Sequence, residues 1–296
     1  MIMRLDTFAG ELKCNEPLAK HTSWRVGGIA QQLYRPASIE DLAGFLTQLP
    51  EDEPVLWLGL GSNLLVRDGG FAGTVISTSG TLKEFEFNGQ ELMVEVGVHC
   101  GKLARRIAKE GLTGGAFLAG IPGTIGGALA MNAGAHKSDT WSLVKEVTTI
   151  DRSGTLRTRP TSDFTVGYRH VVVPNGEWFV SATLSFEQGD AAEEALQIKS
   201  LLKRRNETQP TTQPCAGSVF RNPQGDFAGR LIEQGGFKGL KVGGASVSEK
   251  HANFIVNDGS ATASDIEALI LLLQQKVELK YGLKLIPEVH IIGEVA

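Results

Sequence analysis

The sequence predicts an α+β protein with more than one domain. The chain has 296 residues, which is long for a single hydrophobic core, so two or three domains are expected. Short alternating apolar segments typical of strands are interspersed with segments of helical periodicity. A segment with two prolines and no periodicity, 206–214, predicts a link between the front two-thirds and a C-terminal domain.

The composition excludes several classes of protein. Hydrophobic residues make up 42% and charged residues 21% of the chain, which is ordinary for a folded globular protein. The formal net charge of −4 argues against a nucleic-acid-binding surface. The three cysteines form no C-x-x-C pair and the six histidines lack ligand spacing, so no disulfide framework and no metal site are expected. With no apolar signal core and no long apolar run, we expect a cytoplasmic protein.

The front part mixes helices and strands. Ser38 begins a helix with a capping-box-like start, and Leu42, Phe45 and Leu46 form its apolar stripe. The other elements predicted here are strands at 55–59, 74–78, 92–98 and 178–186, helices at 100–111 and 191–205, and a hairpin of 144–150 with 155–158.

The C-terminal part has short strands and glycine turns before one strong helix. That helix is predicted over 264–281 and is closed by Gly282. A last strand over 288–293 follows Pro287.

Residues 119–135 form a tract with five glycines and almost no charge. Glycine lets another group approach the main chain closely, and successive exposed amides form a concave site for an anion such as a pyrophosphate. The alternative is a tight helix–strand contact that requires small residues.

A second tract, 59–65, follows the apolar strand at 55–59. It begins G-x-G, but Leu64 stands where a dinucleotide-binding fingerprint has its third glycine. Residues 65–70 are interpreted as a further turn, where a Rossmann unit would begin its helix. Two such loops without that helix favour a dinucleotide in an extended pose, which suits FAD better than NAD.

Three residues could do chemistry, although spacing alone does not join them. Ser218 lies outside any G-x-S-x-G motif and is ordinarily a turn serine. Arg169 and Glu288 would ordinarily be a solvated or ion-paired arginine and a surface carboxylate.

A series of six sequence motifs along the chain links these three residues. They are GLGSNLL at 59–65, the tract 119–135, GYR at 167–169, GSVFRNP at 217–223, HANFIVN at 251–257 and PEV at 287–289. Over about 21–293 the chain resembles the UDP-N-acetylenolpyruvoylglucosamine reductase family. Only 187–198 separates the strand end at Phe186 from Lys199, and this segment holds no tyrosine, so the chain resembles the shorter-loop branch.

The resemblance implies a two-lobed FAD-binding domain of the vanillyl-alcohol-oxidase type, followed by an α+β substrate-binding domain. The expected division is lobe 1 at 1–80, lobe 2 at 81–205 and the substrate domain at 206–288. The C-terminal strand, 289–296, is expected to return to lobe 1.

The resemblance also implies an activity. NADPH reduces a non-covalently bound FAD, and hydride then reaches the enolpyruvyl group of UDP-N-acetylglucosamine enolpyruvate, giving UDP-N-acetylmuramate for peptidoglycan synthesis. The implied catalytic residues are Arg169, which stabilises the enolate, Ser218, the general acid, and Glu288, expected to be protonated or to share a proton.

Cofactor contacts are expected throughout both glycine-containing tracts and at one histidine whose alternative role is structural. They are Gly59, Leu60, Gly61, Ser62, Asn63, Leu64, Leu65, Ala119, Gly120, Ile121, Pro122, Gly123, Thr124, Gly126, Gly127, Ala128, Asn132, Gly134, Ala135 and His251.

Substrate contacts are expected at Tyr168, Arg205, Asn222 and His136. Arg205 and Asn222 are the candidates for the phosphates, although Arg205 also suits the C-terminal end of a helix. His136 stands where many relatives have a tyrosine, and it is alternatively a surface residue. The protein is expected to act as a monomer on small molecules, without nucleic acid or membrane partners.

Two other functions stay open. One is a flavin-dependent oxidase of the same fold, which would lack the Ser218 and Glu288 pair and often holds its flavin covalently. The other is a non-catalytic protein that binds a nucleotide sugar with the glycine loops and carries no flavin.

Overall fold

The computed structural model describes residues 8–135 and 138–296. It contains six α-helices within those residues: α1 (Ile39–Leu46), α2 (Cys100–Lys109), α3 (Ile125–Met131), α4 (Ala191–Thr208), α5 (Ala228–Gly235) and α6 (Ala263–Tyr281). The strands are β1 (Glu11–Pro17), β2 (Ile29–Arg35), β3 (Val55–Leu58), β4 (Leu64–Val66), β5 (Phe71–Ser77), β6 (Phe85–Asn88), β7 (Glu91–Glu95), β8 (Leu112–Thr113), β9 (Gly134–Ala135), β10 (Ser138–Asp139), β11 (Val144–Asp151), β12 (Leu156–Pro160), β13 (Thr165–Gly167), β14 (His170–Val172), β15 (Glu177–Ser185), β16 (Glu187–Gln188), β17 (Lys241–Val242), β18 (Ala245–Val247), β19 (Ile255–Asn257) and β20 (His290–Ile292). No described helix is both long and apolar enough to span a bilayer.

The chain divides into two compact units. Unit 1 contains Gln32–Leu60 and Gly73–Lys203, with the described residues before Asn15. Unit 2 contains Asn15–Gln31, Gly61–Ala72 and Arg204–Ala296. This grouping does not follow the three-part division into 1–80, 81–205 and 206–288, which stays a prediction.

Unit 1 is built on a five-stranded antiparallel sheet with the strand order β12-β11-β15-β7-β6. Helix α2 buries Leu103 and Ile107, and strand β7 buries Leu92 and Val94, in one hydrophobic core. The predicted hairpin of β11 and β12 and the predicted strand β15 are therefore confirmed. The helix predicted from Ser38 is also confirmed, since the Ser38 side chain accepts a hydrogen bond from the Asp41 amide.

Unit 2 has its own core beneath helix α6. Ile266, Leu269, Ile270, Leu273 and Val277 are buried on this helix and pack with α5 and the three-stranded sheet β17-β18-β19. Thr262 and Asp265 form a complete capping box at its start. Gly282 closes it with φ 67°, a conformation that favours glycine.

Strand β4 joins unit 2 through a partner far along the chain. It pairs in parallel with β20, so that Leu65 lies beside Ile291. Residues Leu65 and Val66, interpreted from sequence as part of a turn, therefore belong to a strand. The turn that follows is held by α6, because Asp68 accepts hydrogen bonds from the amides of Ala263 and Ser264.

Two further predictions are corrected in the helices. Helix α4 runs to Thr208 and so includes the first residues of the predicted link. The glycine tract at 119–135, expected as loop, contains helix α3. The burial of Ile125, Ala128 and Leu129 explains this helix, since tertiary packing offsets the low helix propensity of glycine.

Candidate active site

The glycine tract of unit 1 uses part of its backbone within the protein. The amides of Ile125 and Gly126 donate to the carbonyl oxygens of Val98 and Val96, at 2.9 Å each. The amide of Gly123 donates to the carbonyl oxygen of Ile121. These three amides are therefore not exposed to a ligand, because carbonyl oxygens just beyond β7 accept from Ile125 and Gly126, and one within the tract accepts from Gly123.

Thr124 is the tract residue whose side chain lacks a partner. It is 1% exposed, and its Oγ1 has no hydrogen-bond partner among the described residues. A Cβ atom built on Gly59 would lie 2.5 Å from that Oγ1. The Thr124 hydroxyl thus leaves room only for glycine at position 59, and the start of the second tract lies beside the first tract within unit 1.

Gly127 presents open space on helix α3. Apart from its chain neighbours and the backbone of its own helix, no described atom lies within 4 Å of the position that a Cβ on Gly127 would take. By contrast, a Cβ on Gly126 would lie 2.9 Å from the Cβ of Val96. Gly126 therefore serves the packing of the unit, which is the structural alternative for the tract, whereas Gly127 leaves the main chain open to a ligand.

Arg169 lies at the tip of the hairpin formed by β13 and β14. Gly167 pairs with His170, so Tyr168 and Arg169 form a two-residue turn, in which Arg169 has φ 52°. Its Nη2 donates to the carbonyl oxygen of Gly134 at 2.8 Å, and its Nη1 donates to that of Asn132 at 3.3 Å. A non-glycine residue in this conformation marks a position held by its surroundings, here by the end of the glycine tract.

A cavity of about 550 Å³ opens beside this turn. It is lined by residues of unit 1, among them Asn132, Asp139, Trp141, Tyr168 and Arg169. Tyr168 is 56% exposed, and the Arg169 guanidinium lies 5.2 Å from its ring centroid. Three residues predicted from sequence, namely Asn132, Tyr168 and Arg169, therefore line one cavity.

The segments that carry Ser218 and Glu288 are paired in unit 2. The Glu288 amide donates to the carbonyl oxygen of Val219 at 2.8 Å, and the Arg221 amide donates to that of Ile286 at 2.9 Å. These bonds pair the segment after Ser218 with the segment that carries Glu288. The two residues are separated widely in sequence, and the third predicted catalytic residue, Arg169, belongs to unit 1.

The second glycine-containing tract extends this pairing. The Gly217 amide donates to the carbonyl oxygen of Ser62 at 3.2 Å. Asn63 donates from Nδ2 to the carbonyl oxygen of Glu288 at 3.1 Å. Gly61 is required where φ is 65°, because a Cβ there would lie 2.1 Å from the His21 carbonyl oxygen. The tract at 61–65 therefore holds the ends of both predicted catalytic segments in unit 2.

The predicted phosphate contacts have structural roles of their own. Arg205 donates from Nε to Gln209 Oε1 at 3.2 Å, and burial lowers the pKa of its guanidinium while raising that of the Cys215 thiol beside it. Asn222 is exposed, and its Oδ1 accepts from the Ala228 amide at the start of α5. His136 lies outside the described residues.

His251, predicted to lie near the flavin, packs within unit 2. Its Nδ1 accepts a hydrogen bond from the Asn253 amide at 3.2 Å. Burial lowers the pKa of the imidazole, and the charge of Lys238 acts in the same direction. These contacts favour the alternative weighed from sequence, a buried structural histidine.

Asn253 and Arg221 were missed by the reasoning from sequence. Asn253 is buried and bonds to the backbone of Phe220 through both its side-chain atoms. The Nε of Arg221 is buried and has no hydrogen-bond partner in the described part of the chain. Both lie in phrases that carry the resemblance, but only the folded backbone shows which groups they contact.

Two family profiles match the chain. Residues 30–159 match an FAD-binding domain, and residues 209–292 match the C-terminal domain of UDP-N-acetylenolpyruvoylglucosamine reductase. The chain is 58% identical over 285 residues to a protein of Alkalilimnicola ehrlichii named UDP-N-acetylenolpyruvoylglucosamine reductase. The alignment covers 96% of each of the two chains. The chain belongs to the UDP-N-acetylenolpyruvoylglucosamine reductase family. It is therefore an oxidoreductase with an FAD-binding domain.

Other members of the family agree. A protein of the same name from Coxiella burnetii is 50% identical over 304 residues, with 96% of each chain covered. The crystal structure of a UDP-N-acetylenolpyruvylglucosamine reductase from Thermus caldophilus superposes with a TM-score of 0.81 at 31% identity, covering 95% of this chain and 98% of that one. The fold predicted from sequence, an FAD-binding domain of the vanillyl-alcohol-oxidase type with a C-terminal α+β domain, is confirmed.

Unit 1 fits a bound FAD. A buried hydroxyl without a partner is costly, so the Thr124 Oγ1 is a group that a ligand would satisfy. Gly127 is exposed on α3 and has no side chain, so a cofactor can contact the main chain at this position. Both residues lie inside the segment that matches the FAD-binding profile.

Proposed function

We propose that this protein is an NADPH-dependent flavoenzyme that reduces UDP-N-acetylglucosamine enolpyruvate to UDP-N-acetylmuramate. The identity of 58% to a reductase whose name specifies that substrate carries this proposal. The product is a peptidoglycan precursor, so the enzyme serves cell-wall biogenesis in the cytoplasm, and with it cell shape and division. The substrates are small molecules, and a monomer is sufficient for the reaction.

The cofactor of the proposed reaction is a non-covalently held FAD. Thr124, Gly59 and Gly127 are the residues that we expect to hold it, with the other predicted residues of the two tracts. When bound, FAD supplies hydride chemistry, since it accepts a hydride from NADPH and can pass one to an electron-poor carbon.

Arg169 acts on the substrate carboxylate in this proposal. Hydride addition at the terminal carbon of an enolpyruvyl group leaves negative charge on the carbon beside the carboxylate. A guanidinium is permanently charged and binds a carboxylate through two parallel N–H bonds, so it stabilises the enolate that develops there. The bonds from Arg169 to the carbonyl oxygens of Asn132 and Gly134 support this role, because they orient the guanidinium before substrate binds.

Ser218 and Glu288 complete the reaction. Ser218 hands a proton from Oγ to the carbanion, which is a strong base in a site without water. Glu288 faces the same developing charge as a carboxylic acid, since an ionised carboxylate would repel it. The hydrogen bond from the Glu288 amide to Val219 supports the pairing of these roles.

The test is an anaerobic titration of the purified protein. We expect a yellow protein whose flavin is released on denaturation, is bleached by NADPH, and returns to the oxidised spectrum when UDP-N-acetylglucosamine enolpyruvate is added. A covalently held flavin, or no reoxidation by this substrate, would favour an oxidase of the same fold. A colourless protein that binds the nucleotide sugar would favour the non-catalytic alternative.

A further inference from the structure

We infer that Asn253 is a positioning residue that fixes the segment carrying Ser218 and, through it, the segment carrying Glu288. The inference rests on the proposed function and deepens it. The described hydrogen bonds of the Asn253 side chain go to the backbone of Phe220 and not to a predicted catalytic side chain. Asn253 acts on the backbone between the two predicted catalytic residues.

Asn253 holds this backbone with three hydrogen bonds. Its main-chain oxygen accepts from the Val219 amide at 2.9 Å. Its Oδ1 accepts from the Phe220 amide at 3.0 Å, and its Nδ2 donates to the Phe220 carbonyl oxygen at 2.8 Å. The carboxamide of Asn253 thus bonds to both the amide and the carbonyl oxygen of Phe220, as a residue on a neighbouring strand would.

These three hydrogen bonds, which we call the Asn253 clamp, are buried, and Asn253 is itself held in place. Asn253 is 3% exposed and Phe220 is 1% exposed, so water cannot replace a lost bond at low cost. The Asn253 amide donates to Nδ1 of His251. This bond orients the backbone of Asn253, so His251 acts on the site through Asn253.

The clamp controls both predicted catalytic residues because of what lies on either side of it. Gly217, before Ser218, is bonded to the carbonyl oxygen of Ser62, and Val219, after it, is bonded to Asn253. The Val219 carbonyl oxygen accepts the Glu288 amide. Ser218 therefore lies between two residues that are each held by a hydrogen bond. A shift of Val219 would displace Ser218 and Glu288 together.

Proton transfer is sensitive to such a shift. Displacement of a reacting group by an ångström can reduce a rate ~10²-fold, even when the substitution lies away from the chemistry. The reduction of the flavin by NADPH does not need a proton from Ser218. Loosening the clamp should therefore slow one half-reaction and spare the other.

Asn257 offers a matched control within the same phrase of sequence. It too is 3% exposed, donates from Nδ2 to a backbone oxygen, that of Trp24, at 2.8 Å, and accepts at Oδ1 from the amides of Gly259 and Ala261. Its side chain makes none of its described hydrogen bonds to residues 217–223, although its amide donates to the carbonyl oxygen of Pro214, which precedes them. Asn253→Asp and Asn257→Asp thus remove the same donor from equally buried carboxamide clamps.

The experiment measures both half-reactions of the holoenzyme by anaerobic stopped flow, with the thermal midpoint of each variant. We expect Asn253→Asp to slow reoxidation by UDP-N-acetylglucosamine enolpyruvate ~10²-fold while reduction by NADPH keeps its wild-type rate. Asn257→Asp should lower the thermal midpoint comparably and leave both rates unchanged. Asn253→Ser, which retains a hydroxyl too short to bridge both Phe220 atoms, provides a second variant with the same expected split.

The inference is overturned if Asn253→Asp reoxidises at the wild-type rate, or if its two half-reactions slow equally, as for a general structural defect. It is also overturned if neither Asn253 variant folds while Asn257→Asp does, because Asn253 would then be a folding determinant. Failure of the proposed function is distinct, since the wild-type enzyme itself would then not be reoxidised by this substrate.

Discussion

The hydroxyl oxygen of Thr124 lies 2.5 Å from the position that a Cβ atom on Gly59 would take. This oxygen is buried and has no hydrogen-bond partner among the described residues. If this hydroxyl is reserved for FAD, Thr124→Val should raise the Kd for FAD ~5–30-fold, the size of one lost hydrogen bond. The apoprotein should keep its stability or gain some, because the substitution removes a buried polar atom that nothing satisfies.

The control for Thr124 is Thr149→Val. Thr149 is fully buried, but its hydroxyl donates to Glu177 at 2.6 Å. Its replacement should destabilise the apoprotein and leave the affinity for FAD unchanged. Equilibrium dialysis with FAD and urea unfolding of the apoprotein measure the two effects. An unchanged affinity in Thr124→Val would exclude this hydroxyl from the cofactor site.

Gly127→Ala separates cofactor contact from packing. Because Gly127 lies in helix α3 with open space around it, alanine should stabilise the apoprotein by ~0.5–1 kcal/mol. The new methyl group should occupy space that FAD needs and weaken its binding ~10-fold, given a cost of about 1–3 kcal/mol for overpacking.

Gly44→Ala is the matched variant, since Gly44 lies in helix α1 of the same unit and a Cβ there meets Phe8 at an ordinary 3.6 Å. It should bind FAD like the wild type. Equal affinities for FAD in Gly127→Ala and the wild type would show that the cofactor does not pack on this part of α3.

Arg169→Lys tests the need for a forked cation. Lysine keeps the charge but cannot bond to both carbonyl oxygens, those of Asn132 and Gly134, and still present two parallel donors to a carboxylate. We expect reoxidation of the reduced enzyme by substrate to slow ~10²-fold. His170→Gln, at the exposed neighbouring residue, should leave that rate unchanged. If the lysine variant is as fast as the wild type, charge alone is sufficient.

The half-buried imidazole of His251 predicts a pH-dependent stability. Burial and Lys238 lower its pKa from the ordinary 6.5, while Glu233 opposes them. As the pH falls below 6.5, the unfolded chain binds this proton first, so the free energy of unfolding decreases until the folded pKa is passed. His251→Gln should flatten that decrease. His290, whose pKa is also lowered by burial and by Arg221, keeps its own contribution.

Urea unfolding above and below pH 6.5 measures this effect. The wild type should lose more stability on acidification than His251→Gln does. If both lose the same amount, His251 titrates normally in the folded protein and the decrease belongs to other groups.

Helix ends marked by their own capping residues could be predicted from the local sequence. Ser38 begins helix α1 and Gly282 closes helix α6 where predicted, because a cap is decided by residues within one turn of it. Strand β4 could not be predicted, since only three residues are involved and their partner, β20, lies at the other end of the chain. Helix α3 was missed because buried tertiary contacts override the preference of glycine.

The candidate site divides in the same way. Resemblance named Ser218 and Glu288, but spacing could not show that the Glu288 amide meets Val219. The Asn253 clamp was invisible, because an asparagine in a sequence says nothing about which backbone it bonds to. The φ of 52° at Arg169 is likewise a product of the folded hairpin, in a turn position where glycine is favoured.

The most direct test of the catalytic assignment is single-turnover kinetics of Ser218→Ala under anaerobic conditions. If Ser218 is the general acid, NADPH should reduce the flavin of this variant at the wild-type rate, and reoxidation by UDP-N-acetylglucosamine enolpyruvate should be slower by ~10²–10⁴, the usual effect of losing a proton donor. Equal slowing of both half-reactions, or of neither, would contradict the assignment.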